Sequence, residues 1–204
     1  MKIGRGRHRF GPSGVDRKAP GKRYTFRVNV RHDTKARPRE PRVFLLPRTT
    51  GELRSFVAHF GGRHVRSTTK CSLENVVLRA VATSRRDPAL ARMLPVFLWR
   101  VRDSLDLDAL AAKAVRQGCA STVGYFLDVA GKVGPTRTFS KAVSSLRPHV
   151  HADRPVFLFS KTKRYPWEAA HAREHTPEHA RRWGLLVPMP LEGYKSYFAK
   201  VAAL

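Results

Sequence analysis

The residue pattern with the most chemical potential in this 204-residue chain is His171-Ala-Arg-Glu-His175. It satisfies the inverted zincin pattern His-x-x-Glu-His, in which two imidazoles four apart share one helical face and a carboxylate can activate water. Such a centre also needs a stable helix and a third ligand. His179 extends the row, but Pro177 interrupts the segment, and nothing in the sequence brings His149 or His151 to it. Among nine histidines one such pentapeptide is unsurprising, so the stretch reads as a solvated polar loop.

Other chemistry-bearing groups are sparse. Asp103, Asp106 and Asp108 gather near a predicted helix start, where capping and the helix dipole account for them. There is no Gly-Lys-Ser/Thr phosphate loop, no Gly-x-Gly-x-x-Gly after a strand and no nucleophile elbow. Gly4-Arg-Gly6 precedes no helix and suits a flexible basic arm. Cys71 and Cys119 have neither metal nor redox spacing and read as inert thiols in a reducing cytoplasm. The expectation is therefore a protein that is not an enzyme, with no catalytic residue, no metal and no cofactor.

What the chain has in quantity is positive charge. Lys plus Arg number 40 against 15 Asp plus Glu, for a formal net charge of +25. Residues 1–42 hold 14 of those cations and 3 of the acids, a net +11 that leaves +14 for all the rest. A tract of that density repels itself and calls for a polyanion, of which nucleic acid is the common form. Arg is used far more than Lys, and its planar fork matches phosphate and guanine where Lys offers a point charge. The longest apolar runs, such as Met93–Trp99, fall well short of the ~20 residues that span a bilayer. Behind the cationic start there is no apolar stretch of a secretory signal. A soluble, cytoplasmic protein with no membrane partner is expected, with association to the nucleoid as one option.

The elements that must position these charges follow from periodicity. Residues 1–23 mix Gly, Pro, Arg and Lys without a period and are expected to be a flexible basic arm. Residues 24–62 read as a small strand and helix segment: Tyr24–Val30 alternates as a strand, Val43-Phe-Leu-Leu is a short strand, and Thr49-Thr-Gly-Glu52 is a capping box opening a helix that runs to Gly61-Gly62. Residues 63–204 form the body. His64–Ser67 reads as a strand; then Leu73, Val76, Val77, Ala80 and Val81 mark a helix face, with Glu74, Arg79 and Arg85 pointing elsewhere. Asp87-Pro88 opens a second body helix, with Pro95 as a kink or break; Asp106 opens a third, ended by Gly118. A fourth spans Ser121–Ala130, and Thr138 caps a short one to Leu146. Strand texture returns at Pro155-Val-Phe-Leu-Phe and Trp183-Gly-Leu-Leu-Val, and Tyr194, Phe198 and Val201 line a terminal helix. The fold class is α+β: a central antiparallel helical block flanked by short strands, with a basic N-terminal arm.

His64-Val-Arg-Ser-Thr-Thr-Lys-Cys-Ser-Leu-Glu-Asn-Val-Val-Leu, Leu105-Asp-Leu-Asp-Ala-Leu, Thr122-Val-Gly-Tyr-Phe-Leu-Asp-Val-Ala-Gly and Arg182-Trp-Gly-Leu-Leu-Val follow one another in that order. Together they resemble the C-terminal domain of the AbiEi-like abortive-infection antitoxins, the antitoxin half of type IV toxin-antitoxin pairs. The resemblance implies that fold for the body and a regulatory leaning toward DNA. It covers the body only: residues 1–63 offer one good helix where that family carries a winged helix-turn-helix, and Ser121 and Thr122 stand where its basic residues often precede the Gly-Tyr pair.

The expected function is sequence-independent or weakly specific nucleic-acid binding, with DNA ahead of RNA, in an antitoxin-like transcriptional regulator or a DNA-associated accessory factor. Arg5, Arg7, Arg9, Arg17, Lys18, Lys22 and Arg23 of the arm are expected to add affinity through phosphates. Arg63, Arg66, Lys70 and Arg79, around the first body helix, are the candidates for any base reading. Two alternatives stand beside this. One is a structural RNA-binding or ribosome-associated protein in which Tyr24, Phe26 or Trp167 stacks on bases; the other is an antitoxin-like body that contacts an acidic protein partner.

Overall fold

The computed structural model describes residues 44–59, 69–134, 136–160 and 165–202. All lie in one of the two units into which the chain divides, Glu40–Leu204; the other is Met1–Arg39. The arm and the strand expected at Tyr24–Val30 fall outside the described residues, as does the strand expected at His64–Ser67.

In chain order the elements are β1 (Phe44–Leu45), α1 (Thr50–Ala58), β2 (Lys70–Cys71), α2 (Leu73–Ser84), α3 (Pro88–Val101), α4 (Leu107–Arg116), α5 (Ala120–Val133), α6 (Ser140–Leu146), β3 (Val156–Phe157), α7 (Pro166–His175), α8 (Glu178–Arg181), β4 (Leu185–Leu186) and α9 (Leu191–Ala202), with single 3-10 turns after α3 and α6. This is the expected α+β architecture, a helical block flanked by short strands. β1 pairs antiparallel with β2, Phe44 opposite Cys71. β3 pairs parallel with β4, Val156 beside Leu185, and the crossover between them carries α7 and α8.

The helices form where local signals say they should. Thr49 accepts the Glu52 amide at 3.1 Å while the Glu52 carboxylate accepts the Thr49 amide, closing the capping box of α1. Asp87 caps α3 ahead of Pro88, and Asp106 caps α4 through the Ala109 amide at 2.9 Å. Gly118, at φ 63°, turns the chain out of α4. Between α2 and α3, and again between α4 and α5, only three residues intervene, so each pair must pack as neighbours. α3 and α5 form the centre, with Leu90, Leu94 and Phe97 on one and Val123, Phe126 and Leu127 on the other buried in a single core. α9 closes over both: Tyr194 is buried with its hydroxyl 3.2 Å from that of Tyr125, and Phe198 sets its ring edge-on to Trp99.

Several expectations need correction. α1 ends at Ala58, short of the glycines. Pro95 does not break α3, which continues to Val101 with the proline ring buried in the core. α5 is longer than Ser121–Ala130 at both ends. Phe139, not Thr138, precedes α6, because Thr138 is spent on a turn in which its amide and hydroxyl both meet the Thr136 hydroxyl. Glu74 does not point away: it is buried, and its carboxylate accepts the Asp106 amide at 3.0 Å, tying α2 to the cap of α4. The polar stretch before β4 is not a loop but helix α7, held by Pro166 in its first turn and by Glu168 accepting the Tyr165 amide at 3.2 Å.

Candidate nucleic-acid interface

A basic groove gathers where α1, the end of α2 and the turn into α3 meet. Arg54, Arg79, Arg85 and Arg86 line its open volume of about 560 Å³, with Thr50, Thr83 and Ser160 between them. Each is there for a local reason. Arg54 lies on the polar face of α1, opposite Leu53, Phe56 and Val57. Arg79 stands outside the buried stripe of α2 and donates from Nη2 to the Arg48 carbonyl at 2.5 Å, which anchors its guanidinium. Arg85 and Arg86 follow the last turn of α2, where the negative end of the helix dipole favours cations. The Arg85 carbonyl accepts the Ser160 amide at 2.7 Å, fixing the segment after β3 against the turn.

One carboxylate lines this groove, and it is committed. Asp87 is 4% exposed; its Oδ1 accepts the Ala89 and Leu90 amides at 3.1 and 3.2 Å, and its Oδ2 accepts Nε–H of Arg54. The hydrogen bond from Arg54 holds its carboxyl below the usual carboxylate range, against the upward push of burial, and the Leu90 and Ala89 amides add to the effect. With Asp87 turned inward on the start of α3, the groove holds four guanidinium groups, Arg54 paired in part with Asp87 and Arg79 in part with the Arg48 carbonyl, against one internally satisfied acid. Arg85 also lines a neighbouring cleft of about 620 Å³ with Arg154, Asp153, Ser121 and Thr122, Asp153 lying 3.7 Å from Arg154.

Of the residues expected to touch nucleic acid, Arg79 lies in the groove. Lys70 is exposed on β2 and does not line it. Arg63, Arg66 and the arm residues Arg5, Arg7, Arg9, Arg17, Lys18, Lys22 and Arg23 lie outside the described residues. Sequence reasoning missed Arg54, Arg85 and Arg86. The available signal was Arg85-Arg86-Asp87-Pro88, a basic pair directly before a helix cap.

The remaining chemical candidates resolve into structural roles. His171 and His175 do share a helical face, but their rings stack at 4.1 Å between centroids and 25° between planes, so their in-plane lone pairs do not converge on one point. Nδ1 of His175 lies 3.0 Å from the His171 carbonyl, to which it donates. Among the described residues no group of three or more His, Cys, Asp and Glu side chains is placed to hold a metal ion. Asp106 is a cap, Asp108 pairs with Lys141 at 2.6 Å, and Asp103 lies 3.8 Å from Arg102. Cys71 and Cys119 are free thiols, both pushed up in pKa chiefly by burial. No helix of the described residues is long and apolar enough to cross a membrane. Compared with protein-family models, curated proteins and solved structures, the chain matches none of them.

Proposed function

We propose that this protein binds nucleic acid, DNA ahead of RNA, through phosphate contacts of low sequence specificity, and that it acts in the cytoplasm as a regulatory or accessory factor of the antitoxin-like kind its body resembles. The observation that carries this is the arginine groove: four guanidinium groups on three neighbouring segments, with its single acid folded inward as a helix cap. A groove lined by one sign of charge concentrates its field, and fork-shaped cations suit phosphate oxygens. The basic residues of the N-terminal 42 positions add sequence-independent affinity to the same polyanion. No residue is proposed to be catalytic.

The test is the salt dependence of binding by the full chain to a short duplex. With about six to eight phosphate contacts, log K against log salt should have a slope of roughly −5 to −7, and replacing Arg54, Arg79, Arg85 and Arg86 together by Ala should flatten it by about 3 to 4 units, at roughly 0.9 per contact. A wild-type slope flatter than about −2 rejects nucleic acid as the partner. An unchanged slope in the fourfold variant rejects the groove.

A further inference from the structure

Beside the arginine groove is a small aromatic pocket that phosphate binding does not use. It is about 190 Å³ in volume and is walled by Phe157, Phe159, Trp167 and His171, with Leu186 and Pro188 as its floor. Four large apolar side chains are exposed on the described surface, and three of them, Val156, Tyr165 and Trp167, belong to β3 and the start of α7. Trp167 is 67% exposed and Tyr165 63%. Core packing does not explain Tyr165 and Trp167, since α7 buries only Ala172. Glu168 also lines the pocket, but its carboxylate is engaged at the Tyr165 amide in the first turn of α7.

The position of the pocket says what would fill it. Phe157 and Phe159 open into it, while Ser160, next in sequence, lines the arginine groove and is bonded to the Arg85 carbonyl. From Phe157 to Ser160 the chain spans at most about 11 Å, so the apolar pocket and the cationic groove flank one short segment. Phe157 also lines the cleft that holds Arg85 and Arg154. A ligand seated on both must carry negative charge and flat apolar rings a short distance apart, which describes a nucleic-acid strand. At 190 Å³ the pocket is smaller than the ~300 Å³ at which sites for drug-sized ligands begin, and it suits a single ring system. Inside a duplex both faces of a base are covered by its neighbours, so only an unpaired base can offer a face to Trp167.

We propose that the Trp167 pocket stacks one unpaired base of a strand whose phosphates lie along Arg85 and its neighbours, a proposal that rests on the nucleic-acid reading of the groove. The protein then prefers opened or single-stranded stretches over fully paired ones, and because every base has an aromatic face it does so with little regard to sequence.

The experiment titrates the full chain with short single-stranded DNA, single-stranded RNA, the matching duplex and an abasic strand of equal length and charge. Wild type should bind the single strands more tightly than the abasic strand and quench its tryptophan fluorescence in doing so. Trp167→Ala should lose about 5- to 150-fold in affinity for the single strands and nothing for the abasic strand, and Trp167→Phe should restore most of the loss. Equal losses on DNA and RNA place recognition in the base alone, as proposed. If Trp167→Ala binds the single strands like wild type while the fourfold arginine variant binds weakly, stacking is rejected and the groove stands. If neither variant changes binding, both are rejected. Tighter binding of the duplex than of either single strand also overturns the proposal.

Discussion

Replacing Gly124 by Ala tests the packing that holds α5 to β4. A Cβ built on Gly124 would overlap three indole atoms of Trp183, Cζ3, Cη2 and Cε3, all closer than the 3.0 Å below which real Cβ atoms are essentially never found. The ring has little room to retreat. Trp183 is fully buried, its Nε1–H donates to Asp128 Oδ2 at 3.2 Å, and the Arg147 guanidinium covers it at 4.6 Å from the ring centroid. Two effects oppose each other. Gly to Ala inside a helix gains about 0.8–1.0 kcal/mol. Overpacking costs about 1–3 kcal/mol, and the upper end applies here because the obstacle is a rigid, bonded ring rather than the tip of a flexible chain. Overpacking wins: Gly124→Ala should destabilise by about 2 kcal/mol, rising toward the 3–5 kcal/mol of a lost Trp if the indole is expelled. Two kcal/mol corresponds to a fall of about 4–8 °C in melting temperature for a domain of this size. The control is Gly131→Ala on the same helix, where the added Cβ meets only the Thr136 carbonyl oxygen at 3.7 Å and a Phe139 ring atom at 3.8 Å, ordinary contacts. That variant should melt at or above wild type. Thermal unfolding followed by circular dichroism decides the matter: should Gly124→Ala melt as high as Gly131→Ala, Gly124 does not face the indole and the seating of β4 on α5 is wrong.

Two further outcomes follow from single titratable groups. Asp87→Ala removes the cap of α3 and should cost about 0.5–2 kcal/mol at neutral pH, measured by denaturant unfolding. Because the folded-state pKa of Asp87 is lowered by Arg54 and the helix amides, its contribution is full above the unfolded carboxylate value of about 3.9 and fades as pH falls through the folded value; in Asp87→Asn this part of the acid limb should be missing. His179 lies face to face with Tyr125 at 6.0 Å, its Nε2 is buried without a hydrogen-bond partner, and its pKa is lowered, by burial first and then by Lys132, against the opposing pull of Asp128 and Glu192. The unfolded chain therefore takes up this proton first, and stability should fall as pH drops from about 6.5 toward the folded value, then level off. His179→Phe should keep the ring contact and abolish that step, and an unchanged pH profile in the variant would refute the assignment.

How much of this was legible depends on how far each interaction reaches along the chain. Caps are local, so Thr49 with Glu52, Asp87 with Pro88, and Asp106 could be read directly, and the apolar stripes of α2, α3, α4 and α5 follow from the helical period. Helix α7 carries no such stripe because it buries a single alanine, and with no period to find it resembles a loop. Glu74 was misplaced for the opposite reason: its partner, the Asp106 amide, is 32 residues away, and a carboxylate on an apolar helix gives no sign of a distant donor. The groove was half legible. Arg79 could be named from the face of α2 and Arg85-Arg86 carried the signal of a basic pair before a helix cap, but Arg54 joins them only once α1 packs on α3, and in sequence it is indistinguishable from solvated arginines elsewhere.

The groove also shows why a basic surface can keep an acid at its centre. A cap on α3 is needed, and the side chains that cap best are Ser, Thr, Asp and Asn. An exposed aspartate there would repel the phosphates that the four arginines are placed to attract, because like charges within a Debye length of about 10 Å are poorly screened at ordinary salt. Burying Asp87 removes the conflict. Its two oxygens face the Ala89 and Leu90 amides and Arg54 Nε, so its charge is balanced inside the fold by the positive end of α3 and one guanidinium edge. Arg54, with its side chain 52% exposed, still offers its remaining N–H groups outward. The same contact thus fixes the start of α3 for stability and orients Arg54 at the groove, which ties the cap to phosphate binding: Asp87→Asn, which keeps a capping side chain but releases Arg54, should cost less stability than Asp87→Ala while weakening duplex binding through loss of Arg54 geometry. If Asp87→Asn instead binds duplex more tightly than wild type, the carboxylate still acts on the ligand as a charge, and its neutralisation within the fold is incomplete.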